Sequence, residues 1–113
     1  KSFNQANIII VSMHWGEEYQ AYANAEQKRI AHALIDAGAD LIVGTHPHVV
    51  QEVERYKEGW VAYSLGNFVF DQNFSDETVR SVLLKVAAGA NKILSVELVP
   101  IKINGNFQPE ITR

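Results

Sequence analysis

Three histidines are spaced so that they could meet: His14 closes one short apolar run, and His46 and His48 close another, with Pro47 between the last two. Proline fixes its own φ, which stiffens the loop and offers the two imidazoles in a constrained geometry. A neutral imidazole is a good ligand for first-row transition metals, so a site built on three of them favours manganese, iron or zinc over magnesium or calcium. Glu17 and Glu18 supply carboxylates close to His14 in the chain. The same residue types have ordinary uses. A histidine after a strand is commonly a hydrogen-bonded loop residue, and a His-x-His pair has structural roles beside metal binding. Spacing alone leaves both readings open.

Short strands and a helix must position these groups. Asn7 to Met13 is a β-branched, nearly all-apolar run, the pattern of a strand buried on both faces of a parallel sheet. Asn24 stands three residues before Gln27, a capping-box spacing that predicts a helix start. Ile30, Ala31, Leu34 and Ile35 then share one helical face, and Gly38 is the natural stop. Asp40 to Val43 predicts a second buried strand, so the first half reads as a βαβ unit with a right-handed crossover. Ligand sites in open α/β sheets gather at the carboxyl ends of strands, where all three histidines fall.

Beyond His48 the pattern is β only. A hairpin is predicted from Val49 to Tyr56 and Trp60 to Ser64 around Lys57-Glu58-Gly59. Further strands are predicted over Thr78 to Ala87 and Ile93 to Val99, with a last pair from Ile101 to Ile111 flanking the Asn104-Gly105 turn. Pro100 and Pro109 place their neighbours at edges or bends.

Other residues carry weaker signals. Trp15-Gly16 beside His14 is either a wall of the site with a close backbone approach or an ordinary core tryptophan with a turn glycine. His32, within the helix, reads as structural or surface. Tyr63 to Phe70 reads as a strand with a Gly-Asn bend, in which Asn67 either packs or aims its amide into the cleft. Asp71 and Asp76 flank a polar loop, where solvated turn residues are the default.

Composition sets the limits. A chain of 113 residues with 47% hydrophobic, 20% charged and 10% aromatic residues holds one globular domain and no more. A net charge of -3, with basic residues scattered, gives no field for nucleic acid. The absence of cysteine excludes disulfides and thiolate chemistry and leaves the compartment open. No stretch approaches the roughly 20 apolar residues of a membrane span, so no membrane contact is expected of this segment. The start at Lys1, followed almost at once by Ile8, Ile9, Ile10 and Val11, reads as a fragment lacking its natural N-terminal portion.

Three blocks together are specific. His14-Trp15-Gly16-Glu17-Glu18, then Asp36 to Gln51 with its Gly44-Thr45-His46-Pro47-His48 centre, then Tyr63-Ser64-Leu65-Gly66-Asn67-Phe68, resembles the CapA-like capsule-synthesis family of poly-γ-glutamate biosynthesis. The resemblance covers roughly residues 7 to 75. That family is similar to calcineurin-like metallophosphoesterases, which implies an α/β (α+β) layered sandwich around a two-metal cleft. Residues 1–113 are then the C-terminal part of one such domain. The resemblance implies that His14, His46 and His48 are metal ligands, and that Glu17 and Asn67, with His14, stand at the catalytic cleft.

It also implies that the early motifs supplying aspartate and asparagine ligands precede Lys1. Half a ligand set is expected to bind metal weakly, so this chain alone is expected to be inactive. Two function classes follow: a metal-dependent hydrolase of a phosphoester or a γ-glutamyl amide, and a non-catalytic scaffold that binds or exports an anionic polymer. Implied partners are the capsule polymer synthesis complex, the anionic polymer itself, and either the missing N-terminal half or a second copy. The implied place is the cell envelope, extracytoplasmic and membrane-anchored.

Overall fold

The computed structural model describes residues 7–112. Lys1, on which the expectation of a missing N-terminal portion rests, lies outside them. Strand β1, Ile10–His14, leads through helix α1, Ala25–Asp36, to β2, Leu41–Thr45. β1 and β2 pair in parallel from Ile10↔Leu41 to His14↔Thr45, which is the expected βαβ pairing. The expected hairpin follows, with β3, Val53–Tyr56, antiparallel to β4, Gly59–Ala62. β4 also pairs in parallel with β2, so the first sheet has the order β1-β2-β4-β3.

The helix begins where its capping box predicts. The Asn24 side chain accepts from the Gln27 backbone N–H at 2.8 Å, and Gln27 Oε1 accepts from the Asn24 N–H at 2.9 Å. Past its end, Gly38 has a φ of +120°, a backbone conformation that favours glycine. Gln27 is buried, and its Nε2 donates to Gln51 Oε1 at 2.9 Å. Gln51 Nε2 in turn donates to the carbonyls of Gln20 and Tyr22. Two buried amides therefore tie the helix start to the loop after His14 and to the segment after His48.

Ala31 and Ile35 of the helix pack against Trp15, Ala39, Ile42, Val61 and Tyr63 to form the core. Ile42 and Val61 are wholly buried, and each stabilises the fold by about 2 kcal/mol. The expectation that the first strand is buried on both faces fails. Val11 and Met13 pack on the core, whereas Ile10 is 59% exposed and Ser12 and His14 are exposed too. The reason is position: β1 is the sheet's edge, and only one of its faces meets α1 and the core.

The second sheet is β5, Arg80–Ala88, β6, Ile93–Ile103, and β7, Pro109–Ile111, all antiparallel. Two expectations need correction. The strand expected from Thr78 starts at Arg80, because Ser75 caps a short helix, α2, over Asp76–Val79. Strands expected to be separate on either side of Pro100 form one continuous β6. Pro100 is tolerated because its partner Val82 sends its N–H to the Leu65 carbonyl instead. On the other side, Pro100 faces Thr112, beyond the end of β7, and accepts from the Thr112 N–H there. The missing donor thus falls where the ladder stops.

On the face of β3 that meets α1, Glu54 accepts from the Tyr63 hydroxyl at 2.7 Å and lies 2.9 Å from His32 Nε2. The His32 ring stacks on Tyr56, centroids 3.9 Å apart, so His32 is structural. Burial raises the Glu54 carboxyl, but the bonds from His32 and Tyr63 outweigh it and hold it below its ordinary value. Burial and then Glu54 push the Tyr63 hydroxyl above the phenol range. A depressed carboxyl contributes stability that is complete above its unfolded pKa and lost as pH falls through the folded one. The melting temperature should therefore decline below about pH 4.3. Glu54→Gln should lower it near neutrality and flatten that acid decline in calorimetric scans. Equal acid slopes in the two proteins would contradict this.

Candidate functional site

β1, β2 and β4 run parallel and deliver their carboxyl ends to one edge of the sheet. His14 ends β1 opposite Thr45, the last residue of β2, so His46 emerges beside it. The His14 and His46 ring centroids are 4.4 Å apart, and those of His46 and His48 are 5.8 Å apart. The segment beyond β4 brings Asn67, whose Oδ1 lies 2.9 Å from His48 Nδ1. These residues, with Thr45 and Phe70, line a cleft of about 320 Å³. His14, His46, His48 and Asn67 therefore come together as expected.

The loop holding the histidines is strained. His46 has φ +103° and His48 φ +65°, and Tyr19, beside them, has φ +63°. Non-glycine residues in this region cost about 1–3 kcal/mol each, and they persist only where the surroundings over-determine them. Here Pro47 between the two histidines is fully buried, and its carbonyl accepts from the Tyr19 N–H at 2.7 Å. The Val49 carbonyl accepts from the buried Ser64 hydroxyl at 2.7 Å. Pro47 stiffens the loop, and its burial locks both neighbours in place.

Trp15 is a core residue, 7% exposed, stacked on Tyr63 and donating its Nε1–H to the Tyr63 carbonyl at 2.9 Å. It backs the cleft from behind. Gly16 has φ +82°, and what approaches it closely is the Gln27 side chain. Glu17 is not brought to the histidines: it lines a separate recess with Trp15, Gly16, Asn24 and Gln27. The carboxylate at the cleft is Glu18, whose Oε2 lies 3.6 Å from His48 Nε2. Asp71 is an exposed loop residue, and Asp76 pairs with Arg80 at 2.8 Å.

Sequence reasoning missed several groups around His48. Tyr19 and Phe70 rings stand 5.9 and 5.3 Å from it, and Phe74 meets Tyr19 edge-on. Gln72 Nε2 donates to the Tyr19 hydroxyl at 3.1 Å, bridging two loops far apart in the chain. Only the aromatic content of 68–74 marked Phe70 and Phe74, and an aromatic run reads equally as core; nothing local marked Tyr19 or Gln72.

The donors are of a type that suits a transition metal: imidazoles with a carboxylate, one imidazole oriented by an amide. Among the described residues, no three histidine, aspartate or glutamate side chains are arranged to hold one ion as they stand.

Residues 1–72 match the family described as bacterial capsule synthesis protein PGA_cap. The chain belongs to that family. Among its relatives, the capsule biosynthesis protein CapA of Bacillus anthracis is 42% identical over 95% of this chain and 26% of its own length. The PGA biosynthesis protein CapA of Bacillus subtilis (strain 168) is 44% identical over 88% of this chain and 26% of its own. A probable polyglutamine synthesis accessory protein of Mycobacterium tuberculosis is 30% identical over 87% of this chain and 28% of its own. The chain thus spans about a quarter of the length of these relatives. Both the family match and the Bacillus relatives support the expected α/β capsule-synthesis domain. Among the described residues, no helix is long and apolar enough to cross a membrane.

Proposed function

We propose that this chain supplies the histidine half of a metal-dependent hydrolase site in a capsule or poly-γ-glutamate biosynthesis protein of the cell envelope. The observation that carries it is the convergence of His14, His46 and His48, with Glu18, at the carboxyl ends of parallel strands. His14, His46 and His48 would contribute donors to divalent manganese, iron or zinc ions held jointly with donors from outside this segment. Bound there, such ions supply Lewis acidity and a water activated at neutral pH.

This chain's own residues do the rest. The strained His46-Pro47-His48 turn fixes two donors in place before any ligand arrives, and Asn67 orients one of them. Glu18 offsets cationic charge, and Phe70 and Tyr19 flank the His48 ring, with Phe74 against Tyr19. The substrate classes that fit are a phosphoester and a γ-glutamyl amide. The segment by itself is inactive, since it carries part of the donor set.

A second reading is a non-catalytic scaffold for the anionic polymer in a synthesis or export complex, anchored at the membrane by other parts of the protein. The description of the Mycobacterium tuberculosis relative as a probable synthesis accessory protein favours it. The full-length protein, stripped of metal and then reloaded with manganese or zinc, separates the two. Metal-dependent cleavage of an aryl phosphate or a γ-glutamyl oligomer supports the hydrolase. Polymer retention without cleavage under any metal supports the scaffold and sinks the catalytic reading.

A further inference from the structure

We infer that Asn67 is a positioning residue that locks His48 in the tautomer with its proton on Nδ1. The Asn67 amide has one end already assigned. Its Nδ2 lies 3.0 Å from the Thr78 carbonyl oxygen, which can only accept, so that end must be the donor. A second acceptor, Gln72 Oε1, lies 3.3 Å from the same nitrogen. Oδ1 is therefore the end at 2.9 Å from His48 Nδ1, and an oxygen there requires a proton on the ring nitrogen. Asn67 is 6% exposed and its bond to the Thr78 carbonyl is buried, so the amide is held from its donor end. The other tautomer would set a ring lone pair against Oδ1 at this part-buried contact, a disfavour of roughly ten-fold.

The consequence lies at the far side of the ring. A neutral His48 so fixed carries its lone pair on Nε2, the nitrogen facing the Glu18 carboxylate at 3.6 Å. Two electron-rich groups opposed in this way suit a cation between them. Metal-binding histidines are commonly set by such a bond from the ring's other nitrogen. The support is remote: Asn67 hangs on Thr78 of α2, at the entrance to the second sheet. Gly66, at φ +78° and pressed against Ser81, sets the backbone that aims it. The second sheet thereby buttresses a site built on the first. The use of the Nε2 lone pair rests on the metal reading above; the tautomer does not.

The test is a long-range proton–nitrogen correlation spectrum of the full-length, metal-free protein with labelled histidine, at a pH above the imidazole range. Expected for His48 is a protonated Nδ1 and an unprotonated Nε2; a protonated Nε2 overturns the inference outright. Asn67→Ala should let the Nε2–H form appear and weaken manganese or zinc binding about 10–100-fold. Asn67→Asp keeps an acceptor at His48 but sets an oxygen against the Thr78 carbonyl, so it should retain the tautomer at a lower melting temperature. An Asn67→Ala protein that stays folded with an unchanged tautomer also overturns it. Should Asn67→Ala not fold, the wild-type and Asn67→Asp spectra decide. The Nδ1–H tautomer in a protein that takes up no metal supports the lock and sinks the metal site, and metal uptake with a protonated Nε2 does the reverse.

Discussion

Gly44→Ala should destabilise the fold by about 3 kcal/mol or more, the larger end of what overpacking does. A Cβ at Gly44 would lie 2.0 Å from the Tyr63 carbonyl oxygen and 2.3 Å from Trp15 Nε1. These two atoms are themselves hydrogen-bonded at 2.9 Å, so the bond runs directly over the glycine. Neither can yield cheaply: the carbonyl belongs to backbone, and Trp15 is stacked on Tyr63 in the core. Trp15→Phe, which removes the donor and leaves the buried carbonyl unpaired, should cost less, about 1–3 kcal/mol. The double variant should cost less than the sum, because both changes act on one contact. At roughly 4 °C per kcal/mol for a chain of this size, Gly44→Ala should melt more than about 10 °C below wild type. A shift within about 3 °C would mean that the strand moves aside freely and that the tryptophan does not fix the end of β2.

What could be read from the residues follows a physical divide between local and distant causes. The α1 start was legible because Asn24 and Gln27 are three residues apart and satisfy one another, and both bonds form. The convergence of His14, His46 and His48 was legible because two short apolar runs joined by a helix imply parallel strands, and parallel strands share an edge. The family blocks added Asn67, which the structure does bring to His48.

What was not legible depends on partners far along the chain. An apolar run reads the same whether one face or two are covered, so the exposure of Ile10 was invisible. Glu17 and Glu18 are neighbours of like type, and only the turn after Gly16 decides that Glu18 meets His48. The Gln27–Gln51 bond spans 24 residues, and nothing local marks it. The α2 turn is a different case. Ser75, three residues before Thr78 and followed by Asp76 and Glu77, has local cap chemistry, which the strand expected from Thr78 left out of account.

The strain at His46 makes the strongest claim about why these residues are there, and it can be separated from their chemistry. His46→Ala, His48→Ala and His14→Ala should each weaken metal binding of the full-length protein by more than about 100-fold, beyond the loss expected from a merely orienting residue. Alanine at position 46 still pays the positive φ, so it tests the imidazole and leaves the backbone problem in place. His46→Gly removes the imidazole and the strain together. At φ +103° glycine is unpenalised, so this variant should be more stable than His46→Ala by about 1 kcal/mol, several degrees in melting temperature, while binding metal no better. A histidine needed for binding yet held at a backbone cost that glycine would relieve is what a site selected for ligand geometry shows. Calorimetric titration with manganese and zinc, run beside thermal melts of the same four proteins, reads both quantities. If His46→Gly keeps wild-type affinity, the histidine cleft is not a metal site. If it melts below His46→Ala, the buried Pro47 turn demands something other than relief from a left-handed backbone, and the strain has no functional meaning.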